Sequence, residues 1–530
     1  MRELLTVGQM LEVHARLHGN RLGARDLERE LTFASWNARA RRLANALLGL
    51  GLGKGDRVAV LAYNCLEWAE LYAATAKAGL VIVPINFRLV AEEIRYILEH
   101  AEAAALVVQD ELLGAVEPIL PELAIPESRR ILFGKGRVPA GFCAYEDLVV
   151  SGADREPEVA VGIEDPWTLM YTSGTTGRPK GVLKSHRAAV LLSLVTEIEL
   201  ALHRRDTALL VMPMCHANSL NFFTSFAYCG GATYVYSRKS FDPEHCLRTL
   251  AEGGATFTSL VPTQYVMLLD VPASARAGLD LGGVKKLMIS SAPARAETKL
   301  ATMELFAHAG LFELYGSSEA GWVTMLHPEE QLAKLGTVGR ECVGTAPVKL
   351  LDEARREVPD GEVGELFSCT PYTFDRYWKD PEKTAEAFHG AWCSVGDMAR
   401  RDPDGYIVLV DRKSNMIISG GENIYPAEVE AVLARHPAVR DVAVVGLPDP
   451  LWGERVHAVL VLEPGATIDE REFLEWARPQ LAGYKRPRSV SVMPDSEMPR
   501  TATGKIQHRI LRDRLVRAGA TTTGQGERAP

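Results

Sequence analysis

Short apolar runs alternate with amphipathic stretches along the first hundred residues, and this alternation leaves the chain few folds to choose from. Over residues 31–50 apolar side chains recur at helical spacing and stop at Gly51-Leu-Gly53. Residues 58–61 read as a buried strand, 67–78 as a helix, 80–85 as a strand, 91–99 as a helix and 105–108 as a further strand. Strands that are apolar throughout and alternate with helices predict a parallel sheet covered on both faces. The pattern resumes with strands expected at 209–212, 233–236 and 287–290. At 530 residues the chain is too long for one core. Near Asp411 its character changes: Asp411-Arg-Lys-Ser-Asn415 is polar and hinge-like, followed by an apolar run and a Gly420-Gly421 turn. Helices at 426–435 and 469–477 and strands at 442–445 and 456–461 then make a small α+β domain. The expected architecture is α/β: a large N-terminal domain of layered, parallel-rich sheets with helices, residues 1–411, and a small α+β domain, residues 412–530.

Between the two stretches of alternation lies Tyr171-Thr-Ser-Gly-Thr-Thr-Gly-Arg-Pro-Lys-Gly181, entered through an apolar run at 167–170 that reads as a buried strand. Ser173, Thr175 and Thr176 offer hydroxyls among Gly174, Gly177 and Gly181, a composition that wraps backbone N–H groups around an anion such as a nucleotide's phosphates. Lys180 adds a point charge on a flexible stem. Ser185 is placed to cap a helix starting near His186. The spacing is not that of a Walker loop. On spacing alone, an ordinary Gly-rich surface turn is an equally good reading.

Composition narrows the class. With 47% hydrophobic and 24% charged residues the chain is an ordinary globular protein, and a net charge of −9 speaks against nucleic acid as a partner. Eight cysteines are scattered from Cys65 to Cys393 without a close C-x-x-C pair, which suits buried thiols in a reducing compartment. Residues 1–10 lack a signal-peptide core, and no apolar run approaches the length of an integral membrane segment. A cytoplasmic protein is expected.

Four further places carry chemistry. In Tyr315-Gly-Ser-Ser-Glu319 the ring can stack on a purine, Ser318 can bond a phosphate and Glu319 can hold a hard cation, although a strand-to-turn junction explains the stretch as well. Trp392-Cys-Ser-Val-Gly-Asp397 puts a carboxylate after a glycine turn, fit for ribose hydroxyls or for capping the turn. Arg412 presents a planar fork for phosphate or ribose oxygens, or a solvated surface arginine. Pro499-Arg-Thr-Ala-Thr-Gly-Lys505 holds a lysine after a Thr-Gly turn, which on its own reads as a flexible C-terminal loop.

Taken together and in order, these five stretches resemble the adenylate-forming superfamily of acyl-CoA synthetases, peptide-synthetase adenylation domains and firefly-type luciferases, over about residues 5 to 515. The resemblance implies two half-reactions: a carboxylate attacks ATP to give acyl-AMP and pyrophosphate, and a thiol, that of CoA, then displaces AMP. It implies that Thr172, Ser173, Gly174, Thr175, Thr176 and Lys180 cradle the β- and γ-phosphates. Glu319 would hold Mg²⁺ and Ser318 would reach the α-phosphate. Tyr315 with the Ser291-Ala292-Pro293 turn would flank adenine, Asp397 would hold the ribose, and Arg412 the ribose or phosphate. Lys505 would bridge the α-phosphate and the carboxylate, then be withdrawn as a mobile C-terminal domain swings and brings Gly420 and Gly421 against the pantetheine arm. The family's pivot position, usually Asp or Lys, is Ser414 here, with Lys413 one residue early; a small Ser still absorbs a backbone rotation. The acyl pocket is expected from residues 214–220 with Phe222 and Phe223, and from 290–293, with His216 beside the substrate carboxylate or packed as a core histidine. Its lining is apolar and lacks an acid for an amino group, so a fatty or aromatic carboxylic acid is expected. Tyr484-Lys-Arg-Pro-Arg488 and the basic positions His508, Arg509, Arg512 and Arg514 suit CoA's phosphates, with a solvated face as the plain alternative for the second group. The runner-up is a stand-alone acyl-AMP ligase loading a carrier protein. A homodimer would be in keeping with such a family.

Overall fold

The structure, a computed structural model, describes residues 4–172, 179–292, 294–420, 422–501 and 504–519. The chain forms two compact units, residues 1–348 with 368–393 and residues 349–367 with 394–530.

The first unit contains an eight-stranded and a nine-stranded sheet among the described residues. In the eight-stranded sheet Arg57–Leu61 lies between Val81–Ile85 and Ala103–Gln109, parallel to both. Val58 and Val60 face a core shared with the helices Phe33–Gly49 and Glu67–Ala78, while Ala59 and Leu61 face a second core under the helix Ala91–His100. Both faces of the strand are buried, which is why its sequence shows no polar alternation. The nine-stranded sheet runs parallel from Ala232–Val235 through Thr207–Leu210, Phe257–Leu260 and Lys286–Ser290 to Gly310–Ser317. The helices His186–Glu199 and Ala217–Cys229 share one core with strands of both sheets.

The parallel order breaks at two candidate segments. Pro166–Thr172 turns back as the antiparallel strand Lys180–Ser185, and Gly310–Ser317 turns back as Gly321–Leu326. Ser185 does stand at the N-cap of His186–Glu199, with extended backbone, but its side chain makes no cap. Its hydroxyl donates instead to Asp375 Oδ1 at 3.4 Å.

In the second unit the long antiparallel pair Val439–Asp449 and Gly453–Leu462 carries the sheet. Val442 and Val444 pack under the helices Pro426–Leu433 and Glu470–Ala477, and Ala443 and Val445 under His508–Arg517. The α+β character expected of the C-terminal part is borne out. Asp397–Arg401 and Ile407–Arg412 form a further antiparallel pair in this unit. All eight cysteines are free thiols. No helix of the described residues is long and apolar enough to cross a membrane.

Candidate active site

In the first unit, Thr172 and Lys180 are direct cross-strand partners. Ser173, Gly174, Thr175 and Thr176 lie outside the described residues, as do Pro293 and Gly421. The Lys180 ammonium lies 4.5 Å from the centroid of the Tyr377 ring, a cation–π distance. The Tyr377 hydroxyl donates to Glu319 Oε1 at 2.9 Å. Tyr377 belongs to the edge strand Arg376–Tyr377, paired with Lys180–Ser185. A tyrosine with no motif around it therefore links the loop lysine to the buried acid. Glu319 is 7% exposed, and its Oε2 accepts no hydrogen bond among the described residues.

The turn carrying Ser318 and Glu319 is held by its backbone. The Glu319 carbonyl accepts from Phe374 N at 2.7 Å, and Ala320 N donates to Ser317 Oγ at 2.9 Å. Thr370 Oγ1 donates to Ala320 O at 2.6 Å. Gly321 follows at φ +71°, where an added Cβ would lie 2.5 Å from the Tyr372 ring. Gly321→Ala is accordingly expected to cost about 3 kcal/mol, the sum of a left-handed backbone and an overpacked ring, read as a lowered melting temperature.

Tyr315 is buried on Gly310–Ser317. Register pairs Ser290 with Leu314, which sets Ser291 level with Tyr315 at the C-terminal end of Lys286–Ser290. Ser291 takes φ +68°, an uncommon value for a residue with a side chain, and it and Ala292 are half-buried. Asn218 Nδ2 donates to Ser290 Oγ at 2.9 Å and to Ser259 Oγ at 3.1 Å. His216 stands at the N-cap of Ala217–Cys229. Burial pushes its imidazole down to about 4, so the ring is neutral at pH 7, and its Nε2 has no hydrogen-bond partner among the described residues. Phe222 and Phe223, expected on the acyl pocket, lie in the core. Phe222 packs 4.6 Å from Phe257 and 5.6 Å from Trp322 between ring centroids, and Phe223 lies 5.5 Å from Trp36.

Sequence reading passed over Lys184. Its ammonium makes no hydrogen bond or ion pair among the described residues, and the residue is half-buried. Burial lowers its pKa to about 8, against the opposing pull of Glu319, Asp375 and Cys393. A lone lysine late in a short strand carries no pattern by which to single it out.

In the second unit three residues distant in sequence come together. Asp397 and Arg412 are cross-strand partners, and Arg412 Nε lies 3.0 Å from Asp397 Oδ1. Lys505 follows the Thr501 turn, where Lys505 N donates to Thr501 Oγ1 at 3.1 Å and Thr501 N to Lys505 O at 2.7 Å. Although Lys505 is exposed overall, loss of water around its ammonium, and then the Arg412 guanidinium, lower its pKa, with Asp397 acting the other way. Asp411 ties the adjoining segment: Oδ1 accepts from Arg412 N at 2.6 Å and from Asn415 Nδ2 at 3.0 Å, and Oδ2 from Ala427 N at 2.8 Å. Ser414 is exposed within the single turn Lys413–Asn415. Gly420 takes φ +62° and a Cβ there would meet the Trp452 ring at 2.7 Å. The basic positions are largely spoken for: His508 pairs with Glu430 at 2.6 Å, Arg512 with Glu454 at 2.7 Å and Lys485 with Glu428. Arg488 lies over the Trp452 ring, 4.5 Å from its centroid.

One unit thus offers a lysine, a carboxylate with an open oxygen and a neutral histidine, and the other an acid, a guanidinium and an ammonium. The chain matches the family described as AMP-binding enzyme over residues 11–378 and the AMP-binding enzyme C-terminal domain over residues 428–505. It is 37% identical to a feruloyl-CoA synthase of an Amycolatopsis species, over 92% of this chain and 94% of that protein. It is 33% identical to a fatty acid–[acyl-carrier-protein] ligase of Streptomyces coeruleorubidus, over 97% of each. The crystal structure of an anthranilate CoA ligase in complex with anthranoyl-AMP superposes with a TM-score of 0.88, at 26% identity, over 98% of this chain and 99% of that one. The chain belongs to the AMP-binding enzyme family. It is an ATP-dependent acid–thiol ligase.

Proposed function

We propose that the protein is an AMP-forming acyl-CoA ligase acting on a fatty or aromatic carboxylic acid. The acid's carboxylate attacks the α-phosphorus of ATP, the bond to pyrophosphate breaks, and acyl-AMP forms. The CoA thiol then attacks the acyl carbonyl, AMP leaves, and the thiol proton passes to solvent. The observation that carries this reading is the convergence of Asp397, Arg412 and Lys505 from three separate stretches. In the proposal Asp397 accepts from the ribose hydroxyls, Arg412 bonds ribose or phosphate, and Lys505 neutralises charge between the α-phosphate and the incoming carboxylate. Lys180, with Thr172, Ser173, Gly174, Thr175 and Thr176, holds the outer phosphates. Ser318 reaches the α-phosphate, Tyr315 with Ser291, Ala292 and Pro293 flanks adenine, and His216 stands beside the substrate carboxylate.

Glu319 suits Mg²⁺: a buried carboxylate whose Oε1 is fixed by Tyr377 keeps Oε2 for a hard cation. No group of three acidic, histidine or cysteine side chains that could hold a metal occurs among the described residues, which fits an ion carried mainly by phosphates and water. Bound there, the ion would offset phosphate charge.

Residues 412–530 are proposed to turn against residues 1–411 about the Lys413–Asn415 segment, which withdraws Lys505 and presents Gly420 and Gly421 to the pantetheine arm. A cytoplasmic setting, supported by eight free thiols, and a homodimer complete the proposal. Similarity to a carrier-protein ligase keeps a second reading, in which the acceptor is a carrier protein. Pyrophosphate release over a panel from acetate to palmitate and from benzoate to cinnamates, with and without CoA, tests both. A sharp optimum with CoA-dependent thioester is expected; pyrophosphate without thioester would shift the assignment to carrier loading.

A further inference from the structure

None of those steps uses Lys184. The strand Lys180–Ser185 pairs it with Thr168, and directly paired residues point to the same face. Both line a small recess, and an irregular register between Pro166 and Thr168 lets Trp167 line it as well. Asn221 and Thr224, three residues apart on the helix Ala217–Cys229, form the opposite wall, and Ser318 belongs to the lining too. The rest of the lining is apolar apart from these side chains.

The charged and titratable groups that act on Lys184 are Glu319, Asp375 and Cys393. None makes an ion pair with it, so the ammonium of this half-buried lysine has no partner among the described residues. A half-buried charge is costly to strip of its remaining water unless an acceptor reaches it. Ser318 ties the recess to the proposed α-phosphate position, where the acid's carboxylate has to arrive. A bare hydrocarbon laid along this wall would strip water from the ammonium and return nothing. An acid bearing a hydroxyl or a second carboxylate would pair with it, with the Asn221 amide alongside. Resting on the ligase reading above, we infer that Lys184 makes the enzyme select carboxylic acids that carry an acceptor oxygen on the acyl skeleton.

The test uses the full-length protein and measures kcat/KM for ATP-dependent pyrophosphate release on two series. One is cinnamate with its hydroxy and carboxy derivatives; the other is octanoate with its ω-hydroxy and ω-carboxy derivatives. The wild type is expected to prefer one oxygenated acid over its parent by at least about tenfold, since a site built to hydrogen-bond an oxygen rejects the analogue lacking it. The preferred arm distinguishes hydroxyl from carboxylate. In Lys184→Met the ratio between that acid and its parent should fall toward one, through the KM for the acid and not through the KM for ATP. A wild type indifferent to the oxygen, or a variant whose ratio is unchanged, overturns the inference. Should Lys184→Met fail to fold, as a melting curve would reveal, Asn221→Leu on the facing wall must reduce the same ratio, and an unchanged ratio counts against the inference. Activity without preference removes this inference alone, whereas silence on every acid removes the ligase reading and this inference with it.

Discussion

Lys505→Ala is expected to slow adenylate formation by about 10²- to 10³-fold while leaving thioester formation from supplied acyl-AMP within a few-fold of wild type. In the proposed role the ammonium acts between the incoming carboxylate and the α-phosphate, and the carboxylate's charge is gone once acyl-AMP has formed. Both half-reactions can be followed separately, the first by pyrophosphate exchange and the second by CoA consumption with synthetic acyl-AMP. Equal losses in both would overturn the role. The pH profile offers an independent check. Loss of water around the ammonium and the Arg412 guanidinium hold the Lys505 pKa below its ordinary value. The protonated form is the useful one, so it is fully present below the folded pKa and lost as pH rises through it. Adenylation should therefore fall on the alkaline side at a pH below that of an ordinary lysine, and Lys505→Arg should remove that limb because a guanidinium stays charged.

The layered sheets were legible because strands such as Arg57–Leu61 are buried on both faces and write that burial into every residue. The helix Glu67–Ala78 shows the bounds its pattern predicts. The hairpin Pro166–Thr172 with Lys180–Ser185 was not legible, since a strand followed closely by a helix hides its short return. Ser185 looked like a cap and has the cap backbone, yet Asp375, 190 residues later, takes its hydroxyl. Tyr377 and Lys184 escaped notice for the same reason: each acquires meaning only from partners brought by the sheet, Glu319 in one case and the recess with Ser318 in the other. The converse error befell Phe222 and Phe223, whose place next to His216 suggested a pocket while helical geometry turned them into the core. Local motif order singles out the residues proposed for the nucleotide more readily than those that would surround the acid, because phosphate chemistry repeats and acyl packing does not.

Glu319→Gln should lower adenylation by about 10²-fold and raise the Mg²⁺ concentration needed for half-maximal rate, because the amide keeps the shape of the side chain but not its charge. Gln can still accept from the Tyr377 hydroxyl through its carbonyl oxygen, so the turn held by Phe374 N and Thr370 Oγ1 should persist and the melting temperature should change little. Tyr377→Phe provides the contrast. It leaves the charge and the ring that the Lys180 ammonium lies over but frees Oε1, so a smaller loss of about tenfold is expected with the Mg²⁺ dependence moved in the same direction. A Mg²⁺ titration of pyrophosphate exchange, run on the wild type and both variants, separates these effects. Unchanged half-saturation in Glu319→Gln would mean that the buried carboxylate serves the fold of the turn and that the ion is carried by the phosphates without it. A shift in Glu319→Gln with none in Tyr377→Phe would keep the ion on Glu319 and reduce Tyr377 to a strut for the Lys180–Ser185 edge.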